Sequence, residues 1–158
     1  MSNKNDLFSA PESYMEKISY LKGIDHNAID LDFSLKKNLS NLADSKNKRF
    51  ENLRICILDR PRHKNIIEKC RNVGARIMLI PDGDVSGIIA TANPDTGVDM
   101  YLGIGGAPEG VLAAAALRCI GGQMEARLKF YNEDEKLRAK NLGITDLNKK
   151  YLLNEVFS

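Results

Sequence analysis

The chain has 158 residues, 43% hydrophobic and 28% charged, with a formal net charge of +2, which suits one globular domain with a real core. Lysines and acids are interspersed without a basic block, which argues against nucleic acid or an anionic membrane surface as the main partner. The polar start MSNKNDLFSAPES lacks the apolar stretch of a secretory signal, and no apolar run is long enough to span a bilayer.

Taken in chain order, PESYMEKISYLKGIDHNAIDLDF fits either a strand or irregular chain, and its pattern leaves both open. Leu35, Leu39 and Leu42 then mark an amphipathic helix with Asp32 or Ser34 as its cap. LRICIL (53–58) is a short apolar run fit for a buried strand. KNIIEKCRNVG follows, with Ile66, Ile67, Cys70 and Val73 on one helical face and Gly74 as its stop. ARIMLI (75–80) predicts a second strand, and Val85, Ile88, Ile89 and Ala92 predict a short helix ending before the turn cluster NPDTG. VDMYLGI (98–104) is a third strand. Pro108 opens a helix, VLAAAALRCI, that is apolar all round and therefore expected to be buried. QMEARLKFY fits one more strand, and NEDEKLRAKNLG a helix with acids first and bases last, as the helix dipole favours. Strands alternating with helices over short links give an α/β fold with adjacent parallel strands and right-handed crossovers. The three cysteines, Cys56, Cys70 and Cys119, contain no CxxC pair and read as core thiols in a reducing cytoplasm.

Polar residues without an evident structural excuse follow the three central strands: Asp59-Arg60-Pro61-Arg62-His63, Asp82-Gly83-Asp84 and Gly105-Gly106-Ala107-Pro108-Glu109. In open α/β sheets, ligands bind at the carboxyl ends of strands, so three such turns point to one site. Arg60 and Arg62, stiffened by Pro61, suit a phosphate, although exposed arginine is also ordinary surface. Asp82 suits sugar hydroxyls, whereas Asp84 has the alternative of capping the following helix. His26 and His63 are isolated and read as surface or core residues rather than metal ligands. Glu109 fits a helix amino terminus, but a carboxylate there opposes a bound phosphate unless a divalent cation lies between them.

LDRPRH, IPDGDVSGIIATANPDTGVDMYLGIGGAPEGVLAAAALRCIGG and QMEARL resemble the class II fructose-1,6-bisphosphatases of bacteria. The likeness runs upstream through APESYMEKI and IDLDFSLKKNL and downstream through NEDEKLRAKNLGI. It implies the layered α/β sandwich of the metal-dependent, lithium-sensitive sugar phosphatases, here as a partial fold: a connecting region over 1–52 and a sugar-phosphate-binding domain over 53–158. It implies that Tyr14, otherwise read as a packing residue, contacts the sugar bisphosphate, as do Arg60, Pro61, Arg62, Asp82, Gly83, Asp84 and Gly106. Glu109 matches the metal-ligand glutamate, for Mn²⁺ or Mg²⁺. The implied reaction is hydrolysis of fructose 1,6-bisphosphate at the 1-phosphate in gluconeogenesis, with sedoheptulose 1,7-bisphosphate as a further substrate of some relatives. The family's acidic DPLDGT-type cluster has no counterpart here, so the catalytic residues are unassigned and the chain reads as truncated. The alternative is an inactive sugar-phosphate-binding module or one subunit of a split enzyme; the expected partners besides the sugar bisphosphate are a second copy of the chain or a complementing amino-terminal chain. A nucleotide-binding domain built on GIGGAPEG is weaker, because its spacing is not GxGxxG.

Overall fold

The computed structural model describes residues 13–156. A six-stranded sheet is built from β1 (Tyr14–Leu21), β2 (Arg54–Leu58), β3 (Arg76–Ile80), β4 (Met100–Gly106), β5 (Gly122–Lys129) and β6 (Tyr151–Leu152). Helices α1 (Leu35–Lys46), α2 (Lys64–Val73), α3 (Asp84–Ala90), α4 (Ala107–Ile120), α5 (Glu133–Asn141) and α6 (Leu153–Val156) flank it, giving a mixed α/β fold. Strand order is β3-β2-β4-β1-β5-β6. The β2–β3 and β2–β4 pairs are parallel, as the alternating pattern predicts. The sheet as a whole is not parallel, because β1 runs antiparallel to both β4 and β5 and lies between them.

The sequence left open whether the segment holding β1 was strand at all, and the sheet supplies the reason. Met15, Lys17 and Ser19 alternate with Ile18 and Tyr20, and all five are buried, so a strand covered on both faces shows no clean polar side. One face packs Ile18, Tyr20, Ile55, Ile57 and Met100 against Leu39 and Leu42 of α1 and Ile67 and Cys70 of α2. The other packs Met15, Cys56, Tyr101, Met124 and Ala126 against Ile88 of α3, Val111, Ala114 and Leu117 of α4, and Val156 of α6. The hydrophobic layers therefore lie on both sides of one sheet, with residues 13–52 contributing β1 to its middle.

Local signals place most helix ends. Ser34, one of the two expected caps, accepts from the Lys37 N–H, and the Asn132 side chain accepts from the Glu135 N–H to open α5. Two expectations are corrected. Helix α4 is not buried all round: Leu112 is 64% and Ile120 52% exposed, while Ala113, Ala114 and Leu117 face the core. Cys119 lies on that outer side and is exposed, whereas Cys56 and Cys70 are buried. An all-apolar helix carries no periodicity to say which side faces out. Among the described residues, no helix is long and apolar enough to cross a membrane.

Candidate functional site

The carboxyl ends of β2, β3, β4 and β5 share one edge of the sheet, and antiparallel β1 brings its amino end there too. Tyr14 is paired with Gly106 on one side and with Lys129 on the other. That register explains how a residue ninety positions upstream joins the glycine turn. Tyr14 is 40% exposed and meets the ring of Tyr131 edge to face at 5.6 Å.

The two arginines are anchored rather than loose surface charge. Arg60 donates from Nη1 to the carbonyls of Asp59 and Pro81, at 3.0 and 2.6 Å, tying the turn after β2 to the turn after β3. Arg62 donates from Nε and Nη2 to the carbonyl of Ile104, at 3.1 and 2.7 Å, and its guanidinium carbon lies 5.6 Å from the Tyr14 ring centre. A guanidinium fixed by part of its fork keeps other donors for an anion. Pro61 starts a single 3-10 turn that swings His63 inward. His63 is fully buried: its Nδ1 donates to the Leu58 carbonyl at 2.8 Å, and its Nε2 accepts from the Ile104 N–H at 2.8 Å. An imidazole that accepts on one nitrogen is neutral, and burial, aided by Arg62 and Arg60, holds its pKa below the ordinary value.

The turn after β3 contains a charge pair that sequence spacing did not reveal. Asp84 begins α3 but does not cap it; Gly83, with φ +81°, occupies the cap position without a side-chain bond. The Asp84 carboxylate instead accepts from Nζ of Lys17 at 2.5 Å, and Lys17 is fully buried. Burial lowers the Lys17 pKa, opposed by Asp84 first and then Glu109. Asp82 is exposed on the same turn. Glu109, in the first turn of α4, folds its carboxylate back over Gly106, where a Cβ would collide with it. Beneath these residues the hydroxyl of Tyr101 is buried without a hydrogen-bond partner, and burial, together with Asp84 and Cys56, raises its pKa.

Arg60, Arg62, Asp82, Asp84, Gly106, Glu109 and Tyr14 thus all stand on one sheet edge, on elements joined by direct hydrogen bonds. Lys17 and the tethering role of His63 are the residues sequence reasoning missed. A lysine between Met15 and Ser19 on one side of a strand was the available signal, and it needed the strand to be recognised first. Among the described residues no three His, Cys, Asp or Glu side chains cluster as a metal cage around Glu109.

Comparison with known proteins identifies the family. A model of the family described as bacterial fructose-1,6-bisphosphatase, glpX-encoded, matches residues 1–158. The chain is 44% identical over 156 residues to a fructose-1,6-bisphosphatase class 2 of Haemophilus influenzae, covering 97% of this chain and 44% of that protein. It is 38% identical over 170 residues to a D-fructose 1,6-bisphosphatase class 2/sedoheptulose 1,7-bisphosphatase of Microcystis aeruginosa, covering 100% of this chain and 49% of the relative. A Synechocystis protein of the same description is 44% identical over 130 residues, 82% of this chain and 37% of its own. The chain therefore spans about half the length of these curated relatives, or less.

Proposed function

Because this chain belongs to the family of bacterial, glpX-encoded fructose-1,6-bisphosphatases, we propose that its polar edge is the sugar-bisphosphate side of such an enzyme's active site. The substrate is fructose 1,6-bisphosphate, with sedoheptulose 1,7-bisphosphate as the second candidate suggested by the names of two relatives. The layered sheet is read as that of the lithium-sensitive sugar phosphatases, and the setting as the cytoplasm, which the free thiols of Cys56, Cys70 and Cys119 support.

One observation carries the reading: Arg62 is pinned to the Ile104 carbonyl, beside the Tyr14 ring, on the strand that leads into Gly106 and Glu109. Arg62 is exposed at a site where Tyr14 offers an aromatic ring to a sugar. Arg60 and Arg62 hold phosphate oxygens, and Asp82 and Asp84 are the acceptors for sugar hydroxyls. Pro61, Gly83 and Gly106 set the backbone of the three turns. Overall, water adds its oxygen to the 1-phosphorus, the bond from phosphorus to O1 breaks, and O1 takes the proton, giving fructose 6-phosphate and phosphate. This chain's part in that reaction is to bind and orient the sugar bisphosphate. Mn²⁺ or Mg²⁺, held in part by Glu109, would supply charge stabilisation and an activated water; no three ligating side chains gather there among the described residues.

Isothermal titration with fructose 1,6-bisphosphate tests the assignment. Binding by the wild-type chain that weakens about tenfold or more in Arg62→Ala is expected, since charge-assisted bonds to phosphate are the strong ones. Binding of NAD in place of the bisphosphate, or an Arg62→Ala chain that binds it unchanged, would overturn the proposal.

A further inference from the structure

The glycine turn before α4 carries a carboxylate of its own, Glu109, and a second one, Asp84, comes up from α3. Two carboxylates beside a phosphate would repel it. The ammonium of Lys17, which rises from β1, meets the Asp84 carboxylate there. A Cβ on Gly105 would stand 2.6 Å from Oδ2 of Asp84 and 3.1 Å from Nζ of Lys17, and a Cβ on Gly110 would stand 3.1 Å from Lys17 Cε. Gly105 therefore leaves room for the Lys17–Asp84 contact, and Gly110 leaves room first for Met15, with whose Sδ a Cβ there would collide, and then for the lysine stem. The charges that act on its ammonium are Asp84 first, Glu109 second and Arg62 third. Lys17 is itself fully buried, so it does not touch a ligand in solvent.

We infer that Lys17 is a positioning residue, the buried counter-charge that holds Asp84 in place and offsets Glu109 so that the turn accepts a phosphate ester. The inference rests on the sugar-phosphate reading above for its ligand, but not for the charge pairing. The small residues at 105 and 110 follow from the same arrangement. A larger residue at 105 displaces the ammonium or the carboxylate, whereas one at 110 meets Met15 first and then the lysine stem.

The test compares the wild-type chain with Lys17→Met, Glu109→Gln and the double variant, by titration with fructose 1,6-bisphosphate in metal-free buffer containing EDTA. Lys17→Met should weaken binding about tenfold, and adding Glu109→Gln should recover most of that loss, because the carboxylate left without its counter-charge is gone. A purely structural lysine would give a loss that Glu109→Gln does not recover, which overturns the inference. Unfolding in urea supplies a reading without ligand: Glu109→Gln should raise the folding equilibrium constant of the Lys17→Met chain about tenfold more than that of the wild type. Additive effects there overturn the inference as well. Should Lys17→Met fail to fold, Gly105→Ala serves instead; it crowds the Lys17–Asp84 contact, and unaltered bisphosphate affinity in it overturns the inference. A wild-type chain that binds no bisphosphate overturns the proposed function, and the urea cycle alone then decides the role of Lys17.

Discussion

Two buried aspartates sit at opposite ends of β4 and are satisfied in different ways. Asp99, just before the amino end of β4, is 1% exposed and accepts from Lys46 at 2.5 Å, from Lys48 at 3.0 Å and from the Arg54 N–H at 2.8 Å. Its two lysines are 16% and 36% exposed at their side chains. Asp84, near the carboxyl end, has one lysine partner that is wholly buried. At the far end the carboxylate ties α1, the loop after it and β2 together, with redundant partners that still reach water. At the site end a single buried cation holds a single carboxylate. Redundancy suits a structural pin; a lone buried pair is costly to break and fixes one geometry, which suits a site.

The largest expected contrast comes from removing one lysine at each end. Lys17→Met leaves the Asp84 carboxylate buried and unpaired and should cost about 3–5 kcal/mol in urea unfolding, the range for breaking a buried pair from one side. Lys48→Ala leaves Asp99 with Lys46 and the Arg54 N–H and should cost no more than about 1 kcal/mol, as exposed pairs do. Equal costs would break the comparison. Asp99→Asn comes next. It keeps an acceptor for the Arg54 N–H but loses both charge pairs, so a loss of about 1–3 kcal/mol is expected, again by urea unfolding. A loss below about 0.5 kcal/mol would mean that Asp99 is not the pin described.

The two ends should also respond to different pH ranges. Burial alone pushes the Asp99 carboxyl up, but the hydrogen bonds from Lys46, the Arg54 N–H and Lys48 outweigh it and hold the carboxyl below its ordinary range. Its contribution is therefore complete above the unfolded-state value of about 4 and is lost as pH falls through the lower folded value. His63, at the site end, is kept neutral mainly by burial. A base depressed in the folded state favours the unfolded chain once protons bind, so stability should decline as pH falls below about 6.5. Thermal melts between pH 7 and 5 should therefore slope in the wild type, and the slope should shrink in His63→Gln. Melts between pH 5 and 2 should show the Asp99 component, absent in Asp99→Asn. A wild type flat from pH 7 to 5 would count against the buried neutral imidazole. The smallest effect belongs to Cys119→Ser, which should leave unfolding within about 0.5 kcal/mol because that side chain is exposed.

Much of the architecture was present in local pattern. The apolar runs 53–58, 75–80 and 98–104 predicted β2, β3 and β4; a continuous apolar stretch suits the two inner strands β2 and β4, whereas β3 lies at the edge of the sheet and leaves Leu79 exposed. The face of Ile66, Ile67, Cys70 and Val73, closed by Gly74 in the left-handed region, predicted α2 to within a residue. The three polar turns identified the sheet edge, since each follows its strand directly. Helix α6 and the short β6 were not foreseen; two strand residues and a four-residue helix carry too little periodicity to register.

What the sequence by itself determined was therefore what neighbouring residues decide among themselves: helix faces, strand runs, caps and the polar turns between them. Tertiary structure alone decided the rest. It placed β1 antiparallel in the middle of the sheet, which carried Tyr14 to the edge and Lys17 beneath α4. It turned Asp84 away from helix capping, because a partner 67 residues distant offered a full opposite charge in a buried setting. It sent Cys119 outward on a helix whose composition favoured neither side. The physical reason is common to all three. Strand order, long-range charge pairing and the choice of an apolar helix's inner face depend on which surfaces meet when distant segments pack, and no spacing along the chain records that.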